Sequence, residues 1–216
     1  MDQHTFFLVL IQKSTGVTTK KKKNLMNVRQ RKRKCREPKF FDSERSSYLQ
    51  ELYDEYLTTK CPDARKQTLS NLANFAYNPE NYGHLISMSI HCLFLQSIDS
   101  TDDFIAITSL KGLCNIVWHP IVAKSIGQKE SIIKILSSIE CRKYLIDFII
   151  NGLLLLVIII KQMNIQIDND DDDEQIQFRL KRLITMIGND IKDVRVQNYC
   201  HLLMDNNNNN NDDDDK

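Results

Sequence analysis

TLSNLANFAYNPENYGHL, residues Thr68–Leu85, reads as the end of one helix, a break at Asn78-Pro79 and the start of another, because the residue before a proline is pushed out of the helical region. Leu69, Leu72, Ala73 and Ala76 fall on one face of the first helix, and Asn71 stands beside them as an amide on a packing helix. The four-residue pattern L-x-N-L around that amide returns as Leu113-Cys114-Asn115-Ile116, in degenerate form as Leu153-Leu154-Leu155-Leu156, and as Val196-Gln197-Asn198-Tyr199. Taken at the third residue of each copy, the intervals are 44, 40 and 43 residues. A period of about 42 is that of the armadillo and HEAT classes of helical repeat.

Outward from that stretch the punctuation stays helical. Asp42 or Ser43 can cap a helix whose apolar stripe is Tyr48, Leu49, Leu52, Tyr53, Tyr56 and Leu57. Pro62 suits the first position of the next helix, with Asp63 favourable in its first turn. Asn78 can cap a short helix from Pro79, Ile90–Ser97 gives another, Asp103–Val117 a longer one, and His119-Pro120 breaks the chain again. Phe148 to Ile160 is the most apolar window, yet its thirteen residues fall short of the roughly 20 that cross a bilayer, so it reads as a core helix. No alternating β-branched stretch argues for a sheet, and six glycines are few for a β-rich fold. The expected architecture is all-α: a short helical-repeat solenoid of three to four repeats from about residue 43 to 205, since one repeat cannot enclose a core and must stack on its neighbours.

The ends differ in character. The net charge of +1 conceals twelve Lys or Arg against two acids in residues 1–40, and acid blocks at Asp168–Glu174 and Asp212–Asp215. Residues 1–41 are expected as a disordered basic arm, about 164–175 as an acidic loop insert, and 206–216 as a disordered Asn/Asp tail. Met26, between the two basic runs, is a second candidate start of translation. Arg29, Arg31, Lys32, Arg33 and Lys34 make a basic cluster of the nuclear-localisation type. The arm lacks the interleaved aromatics that stack on bases, so direct RNA binding through phosphates is an alternative of lower rank.

Six cysteines without a CxxC or a paired Cys/His spacing exclude a zinc finger and read as small buried hydrophobes. No phosphate-binding loop, zinc-protease or nucleophile-elbow pattern is present, the five histidines are scattered, and neither catalysis nor a cofactor or metal is expected. His84 and His91, seven apart, lack a third ligand and are expected at the surface or an interface. Phe75, Tyr77 and Tyr82 read as inter-repeat core. Trp118 is either a partner anchor or a cap on the repeat core.

LSNLANFAYNPENYGHL resembles the junction between the third helix of one armadillo repeat and the first helix of the next, and LKGLCNI repeats its first half. NLANFAY, the following N-Y and GLCN, in this order and spacing, resemble the armadillo repeat-containing protein seven family over Tyr48–Ile116; from Ile121 to Leu203 the likeness is one of pattern alone. The resemblance implies a nuclear protein-interaction scaffold of the minor spliceosome, which pairs with an RNA-recognition-motif protein, touches RNA only indirectly and assists splicing of the rarer introns. It implies partner contacts through Asn71, Asn115 and Asn198 on the third helices, with Lys111 and Trp118 beside them. An Asn there either grips the backbone of an extended peptide or satisfies a neighbouring helix end. Armadillo proteins that carry nuclear import signals also place a Trp one turn before the Asn; Gln67, Lys111 and Val194 occupy those positions here, so such cargo is not expected. A cytosolic adaptor for an unrelated peptide is the remaining rival.

Overall fold

The computed structural model describes residues 42–163 and 171–208. The basic arm with Arg29 to Lys34, most of the acidic insert and the end of the tail lie outside the described residues. Ten α-helices and one 3₁₀ turn make up the described chain: α1 Asp42–Thr58, α2 Pro62–Phe75, the turn Pro79–Asn81, α3 Tyr82–Ser87, α4 Ile90–Ser97, α5 Asp103–Ile116, α6 Pro120–Ile126, α7 Lys129–Cys141, α8 Ile146–Met163, α9 Asp171–Asp190 and α10 Val194–Asn208. There is no strand among the described residues.

Local chemistry sets most of these boundaries. Pro62, Pro79 and Pro120 each begin a helical segment, where the missing N–H is no loss. Asn78 Oδ1 accepts from the Glu80 N–H at 3.0 Å, and His119 Nδ1 from the Ile121 N–H at 3.3 Å. Asp102 accepts from both Phe104 and Ile105 and so caps α5. α9 starts at Asp171, within the acidic stretch expected as a loop up to residue 175, and α10 runs to Asn208, into the expected tail.

Helices that play the third-helix part pack in chain order, α2 on α5, α5 on α8 and α8 on α10, while α1 backs α2, α4 backs α5, α7 backs α8 and α9 backs α10. This is an armadillo-like stack of four units, the first and last abbreviated. The bonds between neighbouring units repeat with the period of the chain. Asn115 binds Ala73, Arg142 binds Ser100 and Arg179 binds Ser137, each 42 residues apart; Tyr56 binds Ser97 and Tyr144 binds Asp103 at 41. Ser138 donates to Asp99 at 2.5 Å, and Lys134 pairs with the same carboxylate at 2.7 Å. Burial alone would disfavour ionised Asp99, but the Lys134 and Ser138 hydrogen bonds, with the charges of Lys134 and Arg142, outweigh it and hold the carboxyl below the usual carboxylate range.

α8 is the centre of the core. Phe148, Ile149, Leu153, Leu155, Val157, Ile158 and Ile159 are fully buried, each worth about 1.5–3 kcal/mol relative to exposure. Several sequence expectations need correction. In α1 only Leu49, Leu52 and Tyr56 are buried; Tyr48 and Leu57 flank the stripe by about 100° per step and are exposed. Tyr82 is buried as expected, whereas Tyr77 is 67% exposed, having passed the end of α2. Cys114 and Cys200 are buried, but Cys61, Cys92 and Cys141 are exposed. His91 is buried rather than superficial, and that burial lowers its pKa.

Candidate functional site

The four marker positions have four different environments. Asn115, half-buried on α5, donates its Nδ2 to the carbonyl of Ala73 at 2.9 Å. Ala73 lies in the last turn of α2, where carbonyls lack an intrahelical partner, so this amide satisfies a neighbouring helix end. The Asn115 carbonyl, itself in the last turn of α5, accepts from the Tyr82 hydroxyl at 2.8 Å; burial pushes that phenol up to about 12. Asn115 therefore braces units one and two from both ends of the residue. Leu155 is fully buried, which removes the third rung altogether. Asn198 is half-buried on α10.

Asn71 is different. Its Oδ1 accepts from Gln67 Nε2 at 3.0 Å on the same helix, and no third helix precedes α2 among the described residues. At about 100° per residue, Lys66 and Ala73 face α5 while Asn71 and Phe75 point the opposite way. There they line a cavity of about 660 Å³ together with Arg45 and Tyr48 of α1 and with Asn74. Asn78 and Asn81 close its far end. Asn71 and Asn74 lie on α2, whereas Asn78 and Asn81 follow its end, Asn78 in extended backbone before the 3₁₀ turn and Asn81 at the turn's last residue.

Lys111 and Asn115 fall within one stripe of α5 that starts at Phe104, and Trp118 follows just beyond the helix end. Phe104 is 48% exposed and Lys111 is exposed, whereas Trp118 is half-buried against the core. Lys66 reaches across from α2, 2.8 Å from Asp102 and 5.8 Å from the centre of the Phe104 ring. The row of third helices thus offers an amide, a lysine and aromatic surface at the joint between units one and two. Arg29, Arg31, Lys32, Arg33 and Lys34 lie outside the described residues.

Among the described residues no three His, Cys, Asp or Glu side chains gather as a metal group would require, and no described helix is long and apolar enough to cross a membrane. Burial pushes the Cys114 thiol up to about 12 and the Cys200 thiol up to about 11, away from the range of a nucleophilic thiolate.

The division of labour between the two amides is testable. Asn115→Ala is expected to lower the unfolding free energy by about 1–2 kcal/mol, because a last-turn carbonyl of α2 loses its donor. Asn71→Ala, whose only described bond is to Gln67, should stay within about 0.5 kcal/mol of the parent. Urea unfolding followed by circular dichroism measures both, and equal losses would contradict the separate roles.

No protein-family model matches the chain. Armadillo repeat-containing protein 7 of Mus musculus is 42% identical over 70 residues, which take in 32% of this chain and 35% of the mouse protein. The match spans about a third of that relative's length, and it agrees with the armadillo-like stack described above.

Proposed function

We propose that this chain is a non-enzymatic scaffold that holds a segment of a partner protein along its row of third helices, using Asn71, Lys111, Asn115, Trp118 and Asn198. The observation that carries this reading is the ordered packing of α2, α5, α8 and α10, which sets equivalent positions of successive units side by side. Lys111, exposed on α5, is available to a partner along that row, and Asn71, bonded to Gln67 on its own helix, is available at the open side of α2. The family resemblance supports a finer role in splicing of the rarer intron class, with an RNA-recognition-motif protein as the partner and RNA contact through it. Arg29 to Lys34 would supply the nuclear address.

The test is purification of tagged chain from nuclear extract. Asn71→Ala combined with Lys111→Ala is expected to reduce recovery of an RNA-recognition-motif protein about tenfold, with helical content unchanged and recovery insensitive to ribonuclease. Undiminished recovery would remove the third-helix row from the proposal. Loss on ribonuclease treatment would favour direct RNA binding.

A further inference from the structure

We infer that the open face of the first unit is covered by this chain's own N-terminal stretch, with the apolar run Phe6–Ile11 seated in the cavity between α1 and α2. This goes beyond the scaffold reading: a partner that reaches Asn71 at the open side of α2 must displace the cover, whereas one held at Lys111 need not.

The stack leaves one end bare. α5 is covered by α2, α8 by α5 and α10 by α8, but no helix lies ahead of α2 among the described residues. That bare end is in good part apolar. Tyr48 belongs to the apolar stripe of α1 and is nevertheless 45% exposed; it meets half-buried Phe75 edge to face, ring centres 5.7 Å apart, in the wall of the cavity of about 660 Å³. Asn74 and Asn78 are exposed at the rim, where their amides stay in water. Arg45, the one cation of the lining, is 3.3 Å from Glu80, so the lining calls for no counter-ion. An uncharged, apolar occupant suits such a wall, because its surface and the two rings leave water together.

The chain carries matching material within reach. Phe6-Phe7-Leu8-Val9-Leu10-Ile11 is the one run of six apolar residues outside the described residues. Thirty residues, 12–41, join it to α1. Fully extended they span up to about 100 Å, against about 26 Å for the whole of α1. The tether therefore reaches the cavity with length to spare and holds the run near it at an effective concentration on the order of millimolar.

Charge favours this occupant over a second copy. At each joint of the stack an acid is paired with a cation of the neighbouring unit: Asp102 with Lys66, Asp99 with Lys134, Asp103 with Arg142 and Glu140 with Arg179. The open face of unit one has acids without such cations. Glu44 and Glu51 are exposed, form no ion pair among the described residues, and with Ser43 and Ser47 line a second hollow of about 310 Å³ that shares Tyr48 with the first. The cations stand in the tether, as Lys20–Lys23 and as Arg29 to Lys34, between Phe6–Ile11 and α1. A chain laid from the cavity back to Asp42 carries them past these carboxylates, while a second copy presenting the same face would set like charges together.

The experiment introduces Phe7→p-benzoylphenylalanine into the full chain, irradiates it and maps the cross-links by mass spectrometry. The expected result is cross-linking within one chain to the peptides that hold Tyr48 and Asn71–Asn78, at a yield independent of protein concentration. Leu8→Asp combined with Leu10→Asp, which alters no residue of the stack, should lower that yield about tenfold and speed hydrogen exchange in α1 and α2 about threefold, with α8 unchanged. No cross-link, a cross-link to α5, α8 or α10 instead, or one to a second chain that grows with concentration would each overturn the inference, the last by seating another copy in the cavity. Exchange in α1 and α2 that ignores the paired substitutions would overturn it as well. Failure of the cross-link would leave recovery of the nuclear partner through Lys111 as it stands.

Discussion

Gly112→Leu is expected to lower the unfolding free energy by about 3 kcal/mol, the upper end of the usual range for overpacking a well-filled core. A Cβ built on Gly112 would lie 2.6 Å from Cε2 and Cζ of Phe94 and 2.9 Å from its Cδ2. Phe94 is fully buried on α4, so its ring is walled in and must move as a plate. Even alanine should be unfavourable here by about 1 kcal/mol net, the clash exceeding the gain in helix propensity. Gly152 is the control, because it stands in the corresponding place on α8 facing α7. There a Cβ would meet Cδ1 of Ile139 at 2.6 Å and its Cγ1 at 2.8 Å, the mobile end of an aliphatic side chain. Ile139 is also fully buried, but its aliphatic end can shift in part where a ring must move whole, so Gly152→Ala is expected to cost less than Gly112→Ala. Pairing Gly112→Ala with Phe94→Leu should restore part of the loss, which separates a steric cause from a backbone one. Urea titrations of the four variants decide the matter, and equal behaviour of the two glycines would mean that Phe94 is not held as described.

The same pair of glycines shows what was legible in the sequence. Period, helix count and prolines at helix starts are local or nearly local signals, and α2, α4 and α5 lie where Pro62, Ile90 and Asp102-Asp103 lead one to expect them. Burial at the edge of a stripe was not legible, since Tyr48 and Leu57 differ from Leu49 and Leu52 only by which neighbour lies over them. The roles of the asparagines were half legible. Their recurrence marks the third helices, but that Asn115 is spent on Ala73 depends on a helix ending 42 residues earlier in the chain. Asn71 lacks such a partner only because its unit is first among those described. Asn81 carried no signal under the L-x-N-L marker, since its burial depends on the turn that folds it back onto the Phe75 carbonyl.

Arg142→Ala should cost about 3 kcal/mol and also change the way the stack comes apart. The Arg142 side chain is 12% exposed and follows α7 into the joint between units two and three. Its Nη2 donates to the Ser100 carbonyl, its Nε lies 3.8 Å from Asp103 Oδ1, and its guanidinium lies over the Phe148 ring at 5.1 Å. One truncation thus leaves a partly buried carbonyl unpaired, removes a cation–π contact and frees Asp103, losses of about 1–2 kcal/mol for the first and less for each of the others. Arg142→Lys should recover little, because an ammonium cannot both bond the carbonyl and lie flat on the ring. In a repeat protein such a joint is a coupling between neighbours, and weakening it lets one side melt before the other. Trp118, the single tryptophan, stands just beyond α5, so its fluorescence reports on unit two, while circular dichroism averages over all helices. In the parent the two signals should change together in urea; in Arg142→Ala they should separate and the overall slope should fall. Coincident transitions in the variant, whatever its stability, would mean that the joint is carried by the third-helix contact of α5 with α8 and not by this arginine.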